Sequence, residues 1–241
     1  MPYQAFTLEE VADYLHLARA DIERFVKNRE IPFEMRGGRV SFRQREIDAW
    51  ASQRILGLQD SPLAEYHQRS SQGTRQFLPN EAIMPEMIQP SFINPALTAK
   101  TKASLLRDMV ALAEKTGRVN DAKELITSLE EREELCSTAL PGGLALLHPR
   151  YHQPYMFESS FIALGRPIQD IHFSAPDGQP TELFFLVCCQ DDRIHLHTLA
   201  RICMMAVKTE LLTRLRQAPD ADAMHAALIA CEQEVLVAKK P

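Results

Sequence analysis

The residues best suited to chemistry lie in one short stretch, Arg132 to Arg150, which reads R-E-E-L-C-S-T-A-L-P-G-G-L-A-L-L-H-P-R. An arginine and two adjacent hydroxyls, Ser137 and Thr138, precede a Pro-Gly-Gly turn. The apolar run Leu144 to Leu147 is short enough for one buried strand and delivers His148 at its end, where Pro149 stops the pairing. A histidine so placed faces a cleft. Downstream, the continuous apolar run Leu183 to Cys189 reads as a strand covered on both faces, and a helix opens directly after it at Gln190-Asp191-Asp192. Free N–H groups of a helix start then stand at a strand's carboxyl end, where open α/β sheets bind ligands and anions are favoured. His195 and His197 stand at that end. Either could serve the site from there, although His197 also reads as an exposed helix residue, and His152 reads as a loop residue flanking the site.

The elements that must position these groups follow from the remaining pattern. The 241 residues, 45% hydrophobic, suffice for one large domain or two small ones with a real core. A net charge of -5 excludes a protein coated in basic surface, though not a local basic patch. No apolar run approaches the roughly 18 residues of a spanning helix, and no signal peptide is visible. The chain therefore reads as cytoplasmic, with no membrane association. Five cysteines without C-x-x-C spacing make neither a disulfide framework nor a zinc ribbon, so no metal and no cofactor are expected.

In the carboxy-terminal part, Lys102 to Thr116 carries Leu105, Leu106, Met109, Val110 and Leu112 at helical spacing. A second helix opens at Asp121 and ends in the Glu-rich run before Cys136. Strands are expected at Phe157 to Ala163, Ile171 to Ser174 and Leu183 to Cys189, then a helix from about Arg193 and further helices to Val235. The order implies α/β architecture, a mixed sheet covered by helices. Residues 59–82, with Ser-Pro, Ser-Ser-Gln-Gly-Thr and Pro-Asn clusters and little periodicity, read as a linker between units at 1–58 and 83–241.

The amino-terminal unit opens with Thr7 as N-cap and Glu10 as its capping-box partner, with Leu8, Val11, Ala12 and Leu15 on the inner face. A second helix from about Ala18 to Asn28 follows a tight turn. An extended run from Ile31 to Arg36, the turn Gly37-Gly38 and Arg39 to Arg43 make a hairpin. A third helix contributes Ile47 and Trp50. This order, with T-x-E-E-x-A-x-x-L, I-P-x-x-x-x-G-x-R and I-D-x-W in sequence, resembles the excisionase and MerR-like winged helix-turn-helix DNA-binding domains. Between Arg19 and Arg45 there are eight basic residues against four acidic ones, the local excess that phosphate contacts need. The resemblance places Arg19, Arg24 and Lys27 towards the major groove and Arg36, Arg39 and Arg43 on the wing. A solvated arginine-rich face is the competing reading for each. DNA binding by paired half-sites implies a homodimer.

The second unit resembles the enzyme IIA domain of the mannitol, fructose and nitrogen-regulatory branch of the bacterial phosphotransferase system. Arg132, Glu133, Ser137, Thr138, Gly143, Ala145 and His148 meet the signature R-E-x-x-x-S-T-x-x-x-x-G-x-A-x-P-H, and His195-Leu196 with Leu199-Ala200 meet H-L-x-x-L-A. The resemblance implies an enzyme IIA-like mixed β-sheet covered by helices on both faces. It also implies that His148 is phosphorylated by an HPr-type phosphohistidine carrier, with His195 and Arg132 stabilising the group in flight. Ser137 and Thr138 are candidates for supporting the phosphate, with turn capping as the stronger reading. The family's proline before the histidine is replaced by Leu147, so backbone geometry there is expected to differ. The chain as a whole reads as a phosphotransferase-linked regulator of transcription, a phosphocarrier rather than a metabolic enzyme. A degenerate IIA unit used only for contacts, and a transport IIA acting in trans, fit the same motifs.

Overall fold

The structure, a computed structural model, describes residues 5–58, 60–74, 80–151 and 154–238. The amino-terminal module runs β1 (Ala5–Phe6), α1 (Leu8–Tyr14), α2 (Arg19–Asn28), β2 (Glu34–Arg36), β3 (Arg39–Arg43) and α3 (Gln44–Leu56). Thr7 and Glu10 form the reciprocal capping box that starts α1. Arg29 closes α2 in the left-handed region, and Gly37 and Gly38, both at positive φ, turn the β2–β3 hairpin. Val11, Leu15, Ile22, Phe25, Phe42 and Ile47 fill its core. β1 adds to β3 as a third strand, an element too short to show as alternation.

The second unit comprises α5 (Met84–Met87), β4 (Ile93–Leu97), α6 (Lys102–Glu114), α7 (Ala122–Leu135), β5 (Ala139–Leu140), β6 (Leu144–Leu147), β7 (Phe161–Pro167), β8 (Leu183–Cys188), α8 (Asp192–Lys208), α9 (Leu211–Gln217) and α10 (Ala221–Val237). Its strands lie in the order β4-β7-β8-β6-β5, with β4–β7 and β6–β8 parallel and β7–β8 and β5–β6 antiparallel. The sheet is mixed and flanked by helices: α6 lies against β4 and β7, α8 against β8, and α10 against α8 and β4. β4 reads I-N-P-A-L and occupies a sheet edge, where its proline leaves only an edge donor unmade. That proline hides the strand from pattern reading. The strand expected from Phe157 starts at Phe161 instead, because Phe157 makes only an isolated bridge to Val119, and Ile171 likewise reaches only Thr181.

The stretch read as a linker carries a helix, α4 (Asp60–Gly73). Its inward positions are Leu63, Tyr66, His67, Ser70 and Ser71, followed by Thr74 just past its end, all buried. Most are polar, so hydrophobic periodicity is weak although the geometric periodicity is complete. α4 packs along α8, and the polar groups find partners there. His67 stacks on His197 with ring centroids 5.4 Å apart, and Ser70 Oγ lies 2.9 Å from His197 Nδ1. His197 is therefore buried, not the exposed residue expected, because α4 covers the face that would otherwise meet water. One turn on, the fully buried Arg201 donates to Glu232 Oε1 at 2.6 Å, His67 Nε2 at 2.7 Å and the Glu81 carbonyl at 3.2 Å. Glu232 also accepts from the backbone N–H groups of Ile83 and Met84. This ion pair ties the connector to α8 and α10. Removing one partner leaves a buried charge uncompensated, so Glu232→Leu is expected to lower stability by about 3–5 kcal/mol in urea unfolding. Adding Arg201→Met to it is expected to restore most of that loss.

Candidate functional site

β6 and β8 pair in parallel from Leu144 opposite Leu183 to Leu147 opposite Leu186, so their carboxyl ends lie side by side. Each end carries a histidine. His148 follows the last paired residue of β6, and His195 lies in the first turn of α8, which Asp191 caps by accepting from the N–H groups of Arg193 and Ile194. The two rings meet with centroids 4.9 Å apart. Leu147, standing in place of the family's proline, pairs normally with Leu186 and is fully buried.

The chemistry of His148 is set by its two ring nitrogens. Nδ1 lies 2.8 Å from the Leu146 carbonyl, an acceptor only, so Nδ1 carries the proton and Nε2 the lone pair. Arg132 Nε donates to that lone pair at 3.1 Å. Arg132 comes from the last turn of α7, is buried, and donates through Nη1 to the Cys136 carbonyl at 3.0 Å. Its Nη2 is buried and has no hydrogen-bond partner among the described residues. A guanidinium so held beside an imidazole lone pair, with one donor to spare, can seat an anion.

Ser137 and Thr138 serve the scaffold in this arrangement. Ser137 Oγ donates to the Phe173 carbonyl, and Thr138 donates to the Glu133 carboxylate through both its hydroxyl and, at 3.1 Å, its backbone N–H. Lys102 neutralises Glu133 from α6 at 2.9 Å. His152 lies outside the described residues.

Residues of the amino-terminal module complete the surroundings, and none of them is marked by a motif of the site. Ser52 Oγ on α3 lies 3.3 Å from His195 Nε2, and Gln44 Nε2 donates to Asp192 Oδ2 at 2.9 Å. The Arg45 guanidinium stacks over Tyr151, just past His148, at 4.9 Å. Asp48 accepts from the Tyr14 hydroxyl at 2.5 Å while facing Asp192 and Asp191. Burial and these neighbouring carboxylates push the Asp48 carboxyl from 3.8 up to about 8, against the opposing Tyr14 bond. The same surroundings raise the Tyr14 phenol far above its ordinary value. The contacts of α3 with His195, Asp192 and Tyr151 join residues more than a hundred positions apart and leave no local signature.

All six basic residues assigned to DNA are exposed. Arg19 pairs with Glu9 and Glu23, Arg24 with Asp21, Arg36 with Glu34, and Arg43 with Glu34 and Glu46.

Residues 86–231 match the family described as phosphoenolpyruvate-dependent sugar phosphotransferase system, EIIA 2, more than half of the chain. The chain belongs to that family. Residues 5–55 match a helix-turn-helix domain, so this EIIA member carries an added amino-terminal module. The EIIA part is 32% identical over 146 residues to the nitrogen regulatory protein of Bradyrhizobium diazoefficiens, covering 59% of this chain and 92% of that one. It is 26% identical over 141 residues to the fructose-specific EIIABC component of Bacillus subtilis, of which it spans 22%. The crystal structure of nitrogen regulatory protein IIA-Ntr from Neisseria meningitidis superposes with a TM-score of 0.55 at 23% identity, covering 61% of this chain and 99% of that one. IIA mannitol from Escherichia coli gives 0.52 at 16% identity, covering 58% and 98%. No helix among the described residues is long and apolar enough to cross a membrane.

The Asp48 cluster generates a pH dependence with a definite sign. The folded protein holds a proton on this carboxyl that the unfolded chain releases near 3.8, so its stabilising contribution is present at low pH and is lost as pH rises towards about 8. In thermal unfolding, the melting temperature of Asp48→Asn minus that of wild type is expected to grow across that window. A difference constant with pH would contradict the assignment.

Proposed function

We propose that this EIIA protein is a phosphotransferase-linked regulator, phosphorylated on His148 Nε2 by an HPr-type phosphohistidine carrier, and that its winged helix-turn-helix module acts on DNA. The observation that carries the reading is the single lone pair of His148. It is fixed on Nε2 by the Leu146 carbonyl, faces Arg132, and lies beside His195. The nucleophile needs no general base, because Nε2 is already unprotonated.

In the transfer, the Nε2 lone pair attacks the phosphorus of the carrier's phosphohistidine. The new N–P bond forms as the carrier's N–P bond breaks, and that electron pair returns to the carrier's imidazole. The Nδ1 proton stays on the bond to Leu146, whose carbonyl stabilises the positive charge the ring acquires. Charge in the loose transition state spreads over the equatorial oxygens, so catalysis is positioning plus compensating positive charge. Arg132 supplies that charge, leaving Nε2 for an oxygen as the new bond forms, and His195 supplies a donor from the other side. Ser137 and Thr138 act by holding the turn before β5.

The exposed basic face of α2 and the wing supports a DNA role, with dimerisation expected from paired half-sites. The burial of both histidines favours the alternative of a IIA unit used only for contacts. One experiment separates them. The full chain is incubated with labelled phosphoenolpyruvate and the upstream carriers. Wild type is expected to take up label, His148→Ala none, and His195→Ala to react about 100-fold to 1,000-fold more slowly, the usual effect of losing one transition-state donor. Label retained in His148→Ala, or absent from wild type at long times, would remove the role. A gel shift on duplexes selected from a random pool is expected to differ between the two phosphorylation states.

A further inference from the structure

His148 is 2% exposed and His195 1%, yet a protein donor has to bring its phosphorus to about 3–3.5 Å from Nε2. Among the described residues, both rings are closed off from solvent. The element of the amino-terminal module set against this region is α3: Ser52 reaches His195, Gln44 reaches Asp192, and Arg45 lies over Tyr151. These three contacts touch both segments that frame the site, the chain after β6 and the start of α8. We propose that the helix-turn-helix module is an intramolecular competitor of the phosphoryl donor, docked through α3 on the mouth of the His148–His195 site and released when His148 is phosphorylated. This rests on the phosphoacceptor reading and adds the regulation of that site.

The chemistry of the interface suits a reversible contact. Where α4 meets α8, Leu63 and Tyr66 are buried together with His67 and Ser70, and Arg201 binds His67. Where α3 meets α8, a carboxyl faces carboxylates: Asp48 stands against Asp191 and Asp192, with Tyr14 and Gln44 bridging. Once Asp48 ionises, towards pH 8, like charges across this interface weaken it. The groups facing this cluster from other elements are His16 beside Arg193, and Arg193 itself, which lies 3.8 Å from Asp191. A phosphoryl group adds about -1.5 to -2 charges next to this cluster. Arg132 offsets part of that charge, but α3 and the phosphoryl group still compete for the same space. The joint is short: α3 ends at Leu56 with Gly57 as its C-cap, and α4 begins at Asp60. Release at that joint would leave α4 fixed on α8 and free the module from β1 to α3. The basic faces of α2 and the wing are exposed in the docked state, so release changes where the module is held and not whether its DNA face is open.

The test compares phosphoryl uptake from a labelled carrier by the full chain in three forms. Gln44→Glu sets a second carboxylate against Asp192 and is expected to speed uptake by at least about tenfold. Asp48→Asn removes the like charge, tightens docking, and is expected to slow uptake several-fold at pH 8. Equal rates in all three, with the label on His148, would overturn the competitor and leave the phosphoacceptor standing. No label in any form would overturn both. Because Gln44→Glu could unfold the module, hydrogen exchange on wild type provides a second measurement. Phosphorylation is expected to raise exchange in α3 and the first turn of α8 while α2 and β3 keep their protection. Unchanged exchange at α3 in the fully phosphorylated protein would overturn the proposal.

Discussion

The whole structure is arranged to bury one helix. From His195 to Met205 every residue of α8 is buried, so this helix has no face to give to water. A helix of that kind must be wrapped on all sides. The sheet supplies one wall through β8, α10 a second, and α4 with α3 the remainder. Because His195, His197, Thr198 and Arg201 lie within the buried run, the wrapping elements must also provide hydrogen-bonding partners, since unpaired polar groups in such surroundings cost about 1–3 kcal/mol each. Ser52 answers His195, Ser70 answers His197, and Glu232 answers Arg201. The position of the amino-terminal module thus follows from the polar residues of α8 as much as from its apolar ones.

The same helix makes the two ends of the molecule interdependent. Its first turn carries one half of the histidine pair and receives α3; its middle turns receive α4 and the connector. A single element therefore joins the histidine pair to the helix-turn-helix module. At the contact of α3 with α8, Asp48 is held near acidic neighbours and its carboxyl is pushed up to about 8.

What could be read from the sequence was local. His148 is legible because four apolar residues and a proline bracket it, and His195 because a buried strand ends just before a helix start. The capping box at Thr7 and the Gly37-Gly38 turn declare the winged module for the same reason. α4 is not legible because much of its inward side is built of His67, Ser70 and Ser71, so hydrophobicity does not report its burial. His197 was misplaced with it, since its exposure depends on whether α4 is there. Ser52, Gln44 and Asp48 could not be found at all from a single sequence. Each looks like a surface residue of a small helix until α8 is packed against it. Even the basic stretch was only half legible: the charge excess between Arg19 and Arg45 is real, but Asp21, Glu23 and Glu34 already engage four of the six arginines and lysines in question.

The proposed phosphoryl acceptance depends on the lone pair of His148 being committed to Nε2 by the Leu146 carbonyl. Phosphorus–nitrogen correlation by NMR on the phosphorylated, nitrogen-labelled full chain reads this directly. The account predicts one phosphohistidine, at His148, with phosphorus bonded to Nε2. Phosphorus on Nδ1 of His148, or on any other residue, would contradict it.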